Sequence, residues 1–148
     1  MKLDNALTGV SRLAFDTAPI IYFIEANPKY VSLINEIFNR VDAGLIQGVT
    51  SVITLAEVLV HPISRGQSEL GENYRELLQQ SGNFHTAPIT VTIAEAAASI
   101  RATYGLRLAD AMQIATAIES DCEAFVCNDR AMRRVRELRV LILDELEW

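Results

Sequence analysis

The 148 residues include only two cysteines, two histidines and two lysines. Cys122 and Cys127 do not form the C-x-x-C spacing of a zinc site or a dithiol redox centre, and free thiols suit a reducing cytosol. His61 and His85 are too few and too far apart to make a histidine-based metal or acid–base centre. Lys2 and Lys29 both lie early, which excludes a receiver domain needing a late lysine. The longest apolar run, Ala18 to Ile24, falls far short of the ~20 residues that span a bilayer. The opening "MKLDNALTGVSRL" has no apolar core of a secretory signal. A cytoplasmic protein without membrane contact is expected.

Half of the residues are hydrophobic and 22% are charged, which argues against disorder. The length suits one domain over residues 1–148. The net charge of −6 disfavours broad polyanion binding, yet it is unevenly spread. Arg130, Arg133, Arg134, Arg136 and Arg139 fall within ten residues and are opposed only by Glu137. That segment carries +4 and leaves −10 for the rest of the chain.

Apolar residues repeat on two periods. Val31, Ile34, Ile37, Phe38 and Val41 are spaced as on a helix, with Asn27-Pro28 as its expected cap and first turn. Ile93 to Tyr104, closed by Gly105, and Leu108 to Ser120 read as two further helices. Glu69 to Gln80 reads as a more polar helix, and Gly66 to Ser68 as an exposed turn. His61-Pro62 is expected at a helix end. Strand-length apolar stretches lie between: Arg12–Phe15, Gln47–Ser51, Phe84–Thr86, Ala124–Cys127 and Arg139–Leu143. The alternation predicts an α/β fold, a largely parallel five-stranded sheet with helices on both faces.

Acidic residues interrupt this apolar pattern at four places. Asp16 follows the first strand in "RLAFDTAPIIYFIE", and Asp129 follows the fourth in "AFVCNDRAM". Glu57 lies on an otherwise apolar helix in "VTSVITLAEVLVHP", and Asp110 opens the helix "LRLADAMQIATA". Singly, each has a plain role. Asp16 and Asp129 could cap helices, Asp110 could complement a helix N-terminus, and Glu57 could pair with Arg107. Together they point elsewhere, because ligands of open α/β sheets gather beyond the carboxyl ends of strands. Four carboxylates meeting there would repel one another unless a hard divalent cation, Mg2+ or Mn2+, joined them. Such a site can activate water and stabilise charge on a phosphodiester.

These four segments, in this order and spacing, resemble the PIN-domain family, especially VapC-type toxin ribonucleases, from about Leu13 to Leu143. The resemblance implies a PIN-like fold with an acidic pocket at one end of the sheet. It assigns metal binding and catalysis to Asp16, Glu57, Asp110 and Asp129, with Mg2+ or Mn2+ as cofactor. It further implies a metal-dependent endoribonuclease acting on RNA, a cognate antitoxin protein as partner, and a homodimer. Cys127 stands where the family often has a hydroxyl residue before the last acid, and a thiol is the weaker hydrogen-bond partner. Thr17, Ser51 and Cys127 are candidates for orienting ligands or water from behind the acids. Arg130, Arg133 and Arg134, spaced as on one face of a short helix, are candidates for gripping RNA phosphate or an antitoxin carboxylate. Tyr22 and Tyr104 offer rings for base stacking, Phe23 suits the core, and Trp148 ends an acidic tail. Ala18, standing where the second aspartate of a haloacid-dehalogenase-like phosphatase belongs, tells against that class. The alternative is a degenerate PIN domain that binds RNA or protein without cutting.

Overall fold

In the first strand Leu13 and Phe15 pack into one hydrophobic layer while Ala14, between them, packs into another. This period of two marks a strand buried on both sides. The computed structural model describes residues 1–148. In chain order it contains α1 (Leu3–Ala6), β1 (Arg12–Phe15), α2 (Thr17–Ile24), α3 (Val31–Asp42), β2 (Gln47–Ser51), α4 (Val52–Arg65) and α5 (Ser68–Gln80). There follow β3 (Phe84–Ala87), α6 (Val91–Tyr104), α7 (Leu108–Glu119), β4 (Ala124–Cys127), a 3-10 helix (Arg130–Arg134), β5 (Arg139–Ile142) and a final 3-10 turn (Leu143–Glu145).

The five strands run parallel in the order β3-β2-β1-β4-β5, so the fold is α/β as expected. β1 is central. From it the chain winds outward to β2 and β3, then returns to place β4 on β1's other side. That reversal opens a crevice between the carboxyl ends of β1 and β4. One layer of the core joins Leu13, Phe15, Ala124 and Val126 to α1, α2, α3 and α5. The other joins Ala14, Val49, Phe125 and Cys127 to α6 and α7. Full burial of each large apolar side chain contributes about 1.5–3 kcal/mol.

An aromatic cluster anchors the first layer. Phe15 packs on Phe38 and Phe84 with ring centroids 5.0 and 5.5 Å apart. Gly48 on β2 makes room for it, since a methyl group there would overlap the Phe84 ring. Phe23 stacks on Phe38, which places it in the core as expected.

Caps mark several helix boundaries. Ser51 and Thr90 accept from Ile53 and Ile93 backbone N–H groups at 3.1 and 3.2 Å, starting α4 and α6. Gly105 ends α6 with φ +67°, a left-handed conformation that glycine adopts without strain. In α2, Pro19 lies in the first turn, where its missing N–H is no loss. Two expectations fail. Asn27 does not cap α3: its Oδ1 accepts from Lys29 N–H at 2.9 Å, closing a local turn, and the helix begins only at Val31. Pro62 does not end α4, which continues to Arg65 and stops at Gly66 in the left-handed conformation. No helix is long and apolar enough to cross a membrane.

Candidate active site

All four acids line one pocket of about 290 Å3, together with Thr17, Ala18, Ile21, Tyr22, Arg107 and Asn128. The sheet brings Asp16 and Asp129 there directly. Asp16 N–H donates to Val126 O at 2.9 Å, which ties the end of β1 to β4 at the crevice. α4 and α7 supply Glu57 and Asp110 from their first turns or the turn beyond.

Each acid keeps part of its plain role. Asp16 Oδ1 accepts from Thr17 N–H, and Asp129 Oδ1 from Ala131 N–H, both at 2.9 Å. Each bond caps the following helix through one carboxylate oxygen, while the group faces the pocket. Arg107 Nε donates to Asp110 Oδ2 at 3.1 Å. Arg107 therefore does not pair with Glu57, and its side chain is 83% exposed rather than buried. Glu57 accepts instead from Thr17 Oγ1 at 2.8 Å.

Electrostatics single out Asp16. Burial pushes its carboxyl up from an ordinary 3.8 to about 6. The Thr17 N–H pulls the other way, while the negative charges of Asp110, Glu57 and Asp129 add to the rise. The pocket thus gathers carboxylates close enough to repel. No three of them converge tightly enough to close a ligand set by themselves. The lining contains no histidine or cysteine. An open set of oxygen donors matches the way Mg2+ is held, by one or two carboxylates with several waters retained.

Residues 13–138 match the family model described as PIN domain. The chain belongs to the PIN-domain family. Solved structures share this PIN fold. A chain of the Rickettsia felis VapBC2 complex, bound to a DNA fragment from its promoter, aligns with TM-score 0.69 and 13% identity, covering 87% of this PIN domain and 96% of the other chain. A toxin–antitoxin complex from Klebsiella pneumoniae gives 0.68 at 23% identity, covering 88% and 97%. FitAB bound to an IR36 DNA fragment gives 0.68 at 18% identity, covering 92% and 98%. No curated protein matches the chain.

The candidates read from behind the acids divide within this PIN domain. Thr17 reaches Glu57, whereas Ser51 is fully buried and donates to Gln113 Oε1 at 2.6 Å. Cys127 is also fully buried among α6 and α7 residues, and burial pushes its thiol up to about 12. Its Sγ lies 3.8 Å from Asp129 O, so it touches the backbone of the fourth acid rather than its carboxylate. The three arginines lie outside the pocket lining. Arg133 is engaged by Glu145, Arg134 Nε donates to Ala131 O at 3.2 Å, and Arg130 is exposed. In a 3-10 helix positions i and i+3 eclipse, so Arg134 turns away from the other two. Tyr104 is bonded to Glu137 and lies outside the pocket lining. Trp148 lines a separate groove with Lys29, Tyr30 and Leu33.

Sequence reasoning missed two groups and named a third, Arg107, only as a possible partner of Glu57. Arg107 is the one cation lining the pocket. Asn128 Nδ2 donates to Tyr22 OH at 3.4 Å, joining the β4 end to α2 across the pocket wall. Thr50, Thr54 and Gln113 form a buried polar cluster beneath the acids. Four carboxylates that interrupt apolar runs are a legible signal. A buried threonine or glutamine on a helix is not, because its partners come from other elements.

Proposed function

We propose that this PIN domain, acting as one unit over residues 1–148, is a divalent-metal-dependent endoribonuclease and the toxin of a toxin–antitoxin pair. The observation that carries the reading is the confluence of Asp16, Glu57, Asp110 and Asp129 on one pocket, with Asp16 raised to about 6. Carboxylates crowded in this way, all oxygen donors, fit a hydrated Mg2+ or Mn2+. Asp16 and Asp110 would hold the ion, with Glu57 and Asp129 completing its surroundings. When bound, such an ion supplies Lewis-acid activation of water and of a phosphodiester.

The chain's own residues do the rest. Asp16 is fixed by the Thr17 N–H, and Glu57 by the Thr17 hydroxyl, so one residue orients two acids. Arg107, exposed at the start of α7, offers a guanidinium for a substrate phosphate on the pocket rim. Tyr22 and Asn128 shape the wall on the β4 side. Arg130, exposed just beyond Asp129, would extend the contact along the RNA backbone.

The antitoxin partner is supported by the likeness to toxin–antitoxin complexes, and a homodimer accompanies that reading. Calorimetric titration with Mn2+, paired with cleavage of an RNA oligonucleotide with and without EDTA, tests the activity. Metal binding with EDTA-sensitive cleavage is expected. Metal binding or RNA binding without cleavage would favour the degenerate, non-cutting PIN domain, and no divalent binding at all would overturn the nuclease reading.

A further inference from the structure

Gln113 lies on α7 three residues after Asp110 and is only 3% exposed. Both ends of its amide are used. Oε1 accepts from Ser51 Oγ at 2.6 Å, and Nε2 donates to Thr54 Oγ1 at 2.7 Å and reaches Thr17 Oγ1 at 3.4 Å. Proton counting gives this cluster a direction. Ser51 Oγ accepts from Ile53 N–H and donates its proton to Gln113 Oε1. With its oxygen on Ser51, the amide turns its NH2 toward the threonines. Thr50 Oγ1 donates to Phe15 O at 2.8 Å, so the Thr50 proton is also committed. Thr17 receives from Gln113 and keeps its own proton for Glu57 Oε1, 2.8 Å away. Donation therefore runs from Ser51 through Gln113 and Thr17 to Glu57.

We propose that Gln113 is a positioning residue for Glu57, acting through the Thr17 hydroxyl. Glu57 sits on an exposed stretch of α4, and Thr17 is its one hydrogen-bond partner in the protein. An apolar side chain of equal size would fill the space of Gln113. The Glu57 carboxylate only accepts, so Thr17 donates to it, and the Gln113 amide, with the Thr54 hydroxyl 3.2 Å from Thr17 Oγ1, holds the inner side of that hydroxyl in place. The inference rests on the metal-dependent nuclease reading, in which Glu57 faces the ion.

The test measures Mn2+ affinity of the full chain without RNA, by the paramagnetic resonance signal of free Mn2+. Gln113→Met and Thr17→Val should each weaken Mn2+ binding about tenfold, the lower range for residues that orient metal ligands. The double variant should bind no more weakly than Thr17→Val, because both changes cut one path. Thr17→Ser, which restores the hydroxyl, should recover most of the affinity. With RNA, Gln113→Met should lower kcat with little change in KM. Where Gln113→Met does not fold, Gln113→Asn serves, since it keeps an amide too short to join Ser51 to Thr17. Unchanged Mn2+ affinity in a folded Gln113 variant overturns the proposal, and so does a double variant whose losses multiply. A wild-type chain that neither binds Mn2+ nor cuts RNA fails differently, since it removes the nuclease reading itself.

Discussion

Asp16 and Glu123 sit at opposite ends of the same sheet and have been treated in opposite ways. Glu123 precedes β4 at the amino end of the strands. Burial works against its charge, but Arg12 N–H, Ser11 Oγ and Ser11 N–H donate to it at 2.7, 2.9 and 3.0 Å and hold its carboxyl below the usual range. Asp16 follows β1 at the carboxyl end, where burial raises its carboxyl to about 6, one backbone N–H resists, and three acids add repulsion. One carboxylate ties strands β1 and β4 together. The other makes the fold less stable where it presents charge to a pocket. That division is the expected cost of a functional site on a stable scaffold.

The largest effect should come from relieving Asp16. Asp16→Asn keeps the shape and a capping oxygen, but removes one charge from the cluster. RNA cleavage should fall by orders of magnitude, as measured on a labelled oligonucleotide with Mg2+. Metal-free stability at pH 7 should hold or rise by about 1–3 kcal/mol in denaturant melts with EDTA, since a raised carboxyl pKa is a stability cost above it. An inactive variant that is also clearly less stable without metal would place Asp16 beside Glu123, as a structural acid.

The pH dependence separates the two next. Asp16's folded pKa, about 6, exceeds its unfolded value of 3.8. Between these values the folded state holds a proton that the unfolded state has lost, so metal-free stability should fall as pH rises from about 4 to 6. The depressed carboxyl of Glu123 works the other way: its contribution is present above the unfolded pKa and is lost as pH falls through the folded one. Melts across this range in EDTA should show the Asp16 slope in the wild type and not in Asp16→Asn.

A smaller effect is expected from Glu123→Gln. It weakens three hydrogen bonds at an exposed position, so a loss of about 1 kcal/mol in melts is expected, with Mn2+ affinity unchanged. Altered metal binding would show that the two ends of the sheet are coupled. The smallest effects belong to the arginines. Arg130→Ala should weaken RNA binding and flatten its salt dependence by about one counterion, whereas Arg133→Ala, whose partner is Glu145, should do less. Equal salt slopes for wild type and Arg130→Ala would return Arg130 to a solvated face.

Much of this was legible along the chain. The five strands and the helices over Val31–Val41, Ile93–Tyr104 and Leu108–Ser120 follow from apolar period, and Gly105 marks its boundary by its own conformational freedom. The boundary at Asn27-Pro28 was misread because asparagine serves a turn as readily as a cap. The short α1 has too few residues to display a period. Along the chain Arg107 is one possible partner for Glu57, and distance in the fold pairs it with Asp110.

The sequence by itself determined which residues carry charge into apolar surroundings, and so which four acids to watch. It did so because burial propensity is local and a carboxylate after a buried strand is conspicuous. Only the tertiary structure decided that β4 returns beside β1, which sets Asp129 across the crevice from Asp16. It alone also decided that Gln113, Thr54 and Thr17 meet beneath Glu57. Hydrogen bonds join groups by distance and direction, and residues 96 positions apart come within reach only when two helices pack against one sheet.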